Sequence, residues 1–232
     1  MIIICKQQRT ILRSLISLKN ASGFFKNIEP TDFSVYFHRY MKMFLLSLFL
    51  TLVFILSAQK HSYDVELFGK KIGNTVIERI DKGNGELQYK MNSSSEVNIL
   101  FTHKTSSMNF DVVYKDGKLF SSYCKNVKDG ATEIVTIAWE GTRYIIKKGG
   151  EVLQMNQLVD FSAIQLYFNE PKGKGKIFSE RLGEFCNFIK TAEGEYESKL
   201  SNGVSNIYRY KNGVLYELEM SKGASVFMRL AR

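Results

Sequence analysis

Glu170, Glu180 and Glu184 fall close together in one stretch of this chain. Two carboxyls at a set separation are the equipment of glycoside hydrolysis, one as general acid and the other as base or nucleophile. Sequence does not supply that separation. The chain holds 23 acidic residues, so three in one neighbourhood is close to what chance provides. The structural alternative is that Glu180 and Arg181 pair with neighbours and fix the segment. Ser179 precedes Glu180, but no Gly-x-Ser-x-Gly elbow surrounds it. His61 stands near the start of the folded part and reads as frayed. His103, in the polar stretch THKT at 102–105, reads as an exposed loop residue. Neither histidine has a His or Cys at ligand spacing, so no metal site is expected. Gly173-Lys174-Gly175 lacks the phosphate-cradling spacing. No catalytic residue is assigned and no cofactor is expected.

Aromatic side chains are the other resource. Phe161, Tyr167, Phe168, Phe178, Phe185 and Phe188 crowd one region, with Ile164 among them. The plain reading is a hydrophobic core. The functional reading is a greasy pocket for an acyl chain or other apolar ligand, lined by Phe161, Ile164, Tyr167, Phe168, Phe178 and Phe185. Cys124 and Cys186 could share one disulfide in an oxidising compartment. Two buried free thiols are the alternative.

The elements that must position these residues are mostly strands. Turn pairs such as Asp116-Gly117, Asp129-Gly130, Asn202-Gly203 and Asn212-Gly213 recur about every ten residues, one strand plus one turn. Val214, Tyr216, Leu218 and Met220 alternate with Glu217 and Glu219, which predicts one apolar and one polar face. Ala224, Val226, Met228 and Leu230 repeat the pattern, and Tyr63, Val65 and Leu67 open the domain. Residues 134–139 are apolar on both faces, so that strand should lie centrally or under a cover. The stretch 160–169 breaks the pattern: Phe161, Ile164 and Phe168 stand at helical spacing, Asp160 or Ser162 could cap it, and Pro171 ends it. It predicts one short helix of about nine residues plugging the concave face. About ten antiparallel strands must curl or split. The fold class is therefore mainly all-β, a curled antiparallel sheet or incomplete barrel with one covering helix. A two-sheet sandwich is the alternative.

Residues 41–58 read as a secretory signal peptide. Lys42 gives a cationic lead, 44–56 is nearly unbroken apolar sequence, and Ser57-Ala58 supplies small residues before a cut between Ala58 and Gln59. As a helix the run 44–58 would be about 22 Å long, short of the roughly 30 Å hydrocarbon core. Residues 1–40 then read as a misassigned extension, with the true start at Met41 or Met43. Residues 59–232 form one β-rich domain. Of the net charge of +9, only +4 lies in that domain, so nucleic-acid binding is not expected. Lys172, Lys174 and Lys176 alternate with glycine, as in a solvated loop. The product would be soluble, periplasmic or extracellular.

Several phrases carry a family resemblance: IQLYFNEP at 164–171, IFSERLG at 177–183, NIYRYKNG at 206–213, and Tyr63 followed by GKKIG at 69–73. Over residues 62–220 the chain resembles domain-of-unknown-function family 6134, secreted proteins of Gram-negative bacteria. The resemblance implies export and an all-β fold, and brings no activity or catalytic residue. Together these readings lead to an exported, non-enzymatic β-protein that binds a lipid-like ligand or an envelope component. The alternatives are a hydrolase of glycans or lipids using Glu170, Glu180 or Glu184, and a structural envelope protein.

Overall fold

The computed structural model describes Met41 and residues 58–99, 102–201 and 203–231, without the side chains of Ile99 and Lys222. The extension 1–40 and the leader, apart from Met41 and Ala58, lie outside the described residues.

Fourteen strands follow one another: β1 Gln59–Leu67, β2 Lys70–Gly83, β3 Glu86–Ile99, β4 Thr102–Lys115, β5 Lys118–Lys128, β6 Ala131–Trp139, β7 Tyr144–Lys148 and β8 Glu151–Met155. After an irregular stretch come β9 Lys176–Ser179, β10 Glu184–Ala192, β11 Glu195–Lys199, β12 Ser205–Lys211, β13 Val214–Lys222 and β14 Ala224–Leu230. They form one antiparallel sheet ordered β8-β7-β6-β5-β4-β3-β2-β1-β14-β13-β12-β11-β10-β9. Among the described residues every pair but β1–β14 joins strands adjacent in sequence, so short connections do the work. At Asp116-Gly117 both residues have positive φ, 49° and 75°. That backbone suits a two-residue hairpin and favours glycine at the second place.

The sheet curls until its ends nearly meet, but it does not close. Gly183, between β9 and β10, lies so near β7 that a Cβ there would sit 2.8 Å from Ile146 Cγ2. Lys148 Nζ donates to the Leu182 carbonyl at 3.4 Å. No ladder joins β8 to β9, which are the two edges. Among the described residues no two-sheet sandwich is formed, and the strands number fourteen rather than about ten.

Inside the curl sits the stretch 158–170. Its only helix is a single 3-10 turn, Ala163–Tyr167, shorter than the expected nine residues. Ser162 precedes it, and its N–H donates to Gln165 Oε1 at 3.0 Å. The Ser162 hydroxyl is spent elsewhere, as shown below. This plug shares one core with the inward residues of nearly every strand, including Tyr63, Ile77, Tyr89, Val112, Val135 and Leu215.

Two strand readings need correction. In β13, Leu215 and Leu218 are buried while Tyr216 is 41% exposed, because the β12–β13 register slips between Arg209 and Tyr210. A one-residue slip exchanges the faces. In β6, Val135 and Ile137 are buried but Ile134 is exposed, and only β7 and β8 lie beyond it. Its outer face is not covered. By contrast Tyr63, Val65 and Leu67 all point into the core.

Candidate functional site

Most of the plug is fastened by tyrosines. Tyr210 Oη donates to the Leu166 carbonyl at 3.0 Å, and Tyr114 Oη to Ser162 Oγ at 2.6 Å. Nearby, Tyr63 Oη donates to the Leu215 carbonyl at 3.0 Å and Tyr144 Oη to the Leu119 carbonyl at 2.9 Å. The Leu119 N–H in turn donates to the Val159 carbonyl at 2.9 Å. His61 is not frayed. It stacks on Phe168 at 4.8 Å between centroids, and its Nδ1 lies 2.9 Å from the Tyr167 carbonyl.

Beside the plug a cavity of about 140 Å³ remains. One wall is Met91, Met108 and Phe110 from β3 and β4, and another is Ile164, Leu166 and Tyr167 of the plug. The far side comes from β9 to β13, with Cys186, Phe188, Tyr208 and Leu218 among its residues. Met108, Phe110, Leu200 and Met220 are partly exposed and mark its mouth. The deeper residues, such as Met91, Leu166, Phe188 and Leu218, are buried. A larger groove of about 400 Å³ lies where β2 to β5 extend away, lined by Ser94, Ser95, Ser106 and Ser107 with Glu96. It is a serine-rich surface hollow whose only large apolar side chains are Ile72 and Val127, so the smaller, more apolar cavity is the better candidate.

Of the six residues expected to line a greasy pocket, the structure brings only Ile164 and Tyr167 to this cavity. Phe168 packs on His61 and Tyr89. Phe178 is fully buried and meets Phe185 edge-on at 5.2 Å. Phe161 lies 5.7 Å below the Lys174 ammonium. These four serve the core or the surface. The methionines and Phe110 were missed because they come from strands far apart in sequence. The cross-strand pairing of Met91 with Phe110 is the contact that unites them.

The glutamates also separate. Glu170 accepts from Tyr196 Oη at 2.9 Å and meets Lys172 at 3.6 Å. Glu184 is exposed on β10. Glu180 alone lines the cavity, and it is 1% exposed. Its Oε1 accepts from Ser162 Oγ at 2.5 Å and from the Ile164 N–H at 3.2 Å. Burial raises its pKa above the ordinary carboxyl value, and those hydrogen bonds pull the other way. Arg181 also lines the cavity but forms no ion pair or hydrogen bond among the described residues, contrary to the expected pairing.

Cys124 and Cys186 are both buried free thiols, so the expected bridge is not formed. Cys124 stands opposite Phe110 on β5, and Cys186 opposite Ile177 on β10. Burial pushes Cys124 up to about 12 and Cys186 up to about 11. His103 is exposed, with Nδ1 2.9 Å from Asn98 Oδ1. Among the described residues no cluster of His, Cys, Asp or Glu could hold a metal ion. No helix among them is long and apolar enough to cross a membrane.

Comparison with known proteins agrees with this architecture. The model of a family described as a domain of unknown function, DUF6134, matches residues 63–231. Among solved structures, the chain is similar to a beta-barrel-like protein of domain of unknown function DUF1849 from Brucella abortus. The match has 12% identity, covers 77% of this chain and 97% of that one, and has a TM-score of 0.50. At that identity the likeness speaks for the fold alone. No curated protein matches the sequence.

Proposed function

We propose that this chain, which belongs to the DUF6134 family, is an exported, non-enzymatic β-protein that holds part of a small lipid-like molecule between its curled sheet and its plug. The cavity carries this reading. Met108, Phe110, Leu200 and Met220 are among its partly exposed lining residues, apolar side chains that adapt to an alkyl chain. Its volume of about 140 Å³ is close to the roughly 150 Å³ that admits a benzene ring. It takes a few carbons and leaves the rest of a ligand on the mouth. The leader-like run 44–56 followed by Ser57-Ala58 supports export. The hydrolase reading has little to draw on, since two carboxyls are needed and only Glu180 reaches the cavity.

Native mass spectrometry of protein purified from its own envelope tests both parts. A co-purifying lipid-like mass on a chain beginning at Gln59 is the expected result. An intact leader would overturn export. Consistently empty protein, with no rise in melting temperature on adding medium-chain lipids, would overturn binding.

A further inference from the structure

The wall of the cavity contains three buried polar atoms without a hydrogen-bond partner: Glu180 Oε2, Arg181 Nε and Asn206 Oδ1. Ser122 Oγ is the other such atom among the described residues, and it lies outside the cavity. Leaving a buried polar group unpaired costs on the order of 1–3 kcal/mol, so three around one space call for an explanation. The remaining polar atoms of two of these residues are tied down. Glu180 Oε1 accepts from Ser162 and Ile164, which leaves Oε2 as its available oxygen. Asn206 Nδ2 donates to Tyr208 Oη at 3.3 Å, which leaves its carbonyl oxygen. The free set is one N–H donor, one acceptor, and one carboxyl able to serve as either. Glu180 and Asn206 are 1% and 8% exposed, deeper than the apolar side chains of the mouth, while Arg181 is half-buried with its Nε shielded from solvent.

We infer, on the binding reading above, that the cavity takes its ligand polar end first, and that this end is a carboxylic acid held by Arg181, Glu180 and Asn206. The carbonyl oxygen of the acid accepts the Arg181 Nε–H. Its O–H donates to Asn206 Oδ1. Glu180 Oε2 faces the hydroxyl oxygen of the acid and donates to it when Glu180 is protonated. The alkyl chain then leaves past Met108, Phe110, Leu200 and Met220. A simple amine offers no acceptor to Arg181 and adds a second positive charge. An ester offers no donor to Asn206.

The titratable groups facing Glu180 are Arg181 beside it, Tyr114 from β4, Cys124 from β5, Tyr167 from the plug and Tyr208 from β12. Burial pushes these phenols and this thiol upward, Cys124 and Tyr208 to about 12. They stay neutral up to pH 8, so a pH dependence over that range belongs to Glu180 and the ligand.

Isothermal titration calorimetry of the full chain with octanoic acid, methyl octanoate and octylamine is the test. At pH 5 octanoic acid should bind at least tenfold more tightly than either of the others. Its affinity should fall about tenfold or more per pH unit as the pH rises to 8. Glu180→Gln keeps a donor at the same place and should make that fall shallower. Arg181→Met should weaken octanoic acid at least tenfold, whereas Asn206→Leu, which removes only the acceptor of the acid's O–H, should weaken octanoic acid at least tenfold and leave methyl octanoate unchanged. Equal binding of ester and acid, or tighter binding of octylamine, would overturn this assignment while the apolar cavity reading stands. Binding of none of the three would overturn both.

Discussion

Two regions of the same interior use polar side chains in opposite ways. Around the plug, Tyr63, Tyr114, Tyr144 and Tyr210 each direct a hydroxyl to a partner at 2.6 to 3.0 Å. In the cavity wall, Glu180, Arg181 and Asn206 each keep one buried atom unpaired. The first region consumes its hydrogen-bonding capacity in holding the chain to itself. The second leaves capacity over. A folded protein tolerates such a surplus where another molecule can use it.

Paired substitutions break this contrast if it is wrong. Phe178→Ala, in the sealed region, should cost about 3–5 kcal/mol in urea unfolding, since Phe178 is fully buried. Phe110→Ala, at the mouth, should cost well under half of that because the site is already open on one side. Equal losses would mean that the cavity is ordinary core. Ser162→Ala is expected to come next, at about 1–3 kcal/mol. It leaves Tyr114 Oη without its acceptor and removes a donor to Glu180, and the same denaturation series reads it.

Glu180→Gln sharpens the contrast through pH. Burial raises the folded-state value of Glu180. The stability it contributes is thus complete below the unfolded carboxyl value and is lost as pH climbs through the folded value. Melting curves should show Glu180→Gln gaining on the native chain from about pH 4.5 upward. Asp129 and Glu195 are shifted downward by their hydrogen bonds and act with the opposite sign, but they are common to both chains and cancel in the difference. The smallest effect concerns the thiols. Reductant should leave the melting temperature unchanged. Cys186, which lines the cavity, should react with a small thiol reagent before Cys124 does, and octanoic acid should slow it.

The hairpins were legible because pairs like Asp116-Gly117 and Asn212-Gly213 advertise a backbone that few other residues adopt. The inward set Tyr63, Val65 and Leu67 was legible from alternation. Tyr216 was not, because a bulge opposite Arg209 and Tyr210 resets the faces without any local mark. The aromatic cluster near the plug was visible, but its division was hidden. Whether Phe178 seals the core or Tyr167 faces a cavity depends on partners such as Phe185 and Met91, brought together by a curl that no short window of sequence contains. Glu180 was visible as a candidate. Its burial under Ser162 and Ile164 was not.

The seam between β1 and β14 has a consequence for how the molecule comes into being. Tyr63 is registered with Leu230 and Val65 with Met228, and the ion pair of Glu66 with Arg229 spans 163 residues. Each of the other ladders joins strands adjacent in sequence, whereas this one waits for the last of the fourteen strands. Until then β1 shows a bare edge, and the curl has no means of gathering its two wings. Assembly is therefore finished by a single long-range stitch, the kind of contact whose loop-closure cost slows folding.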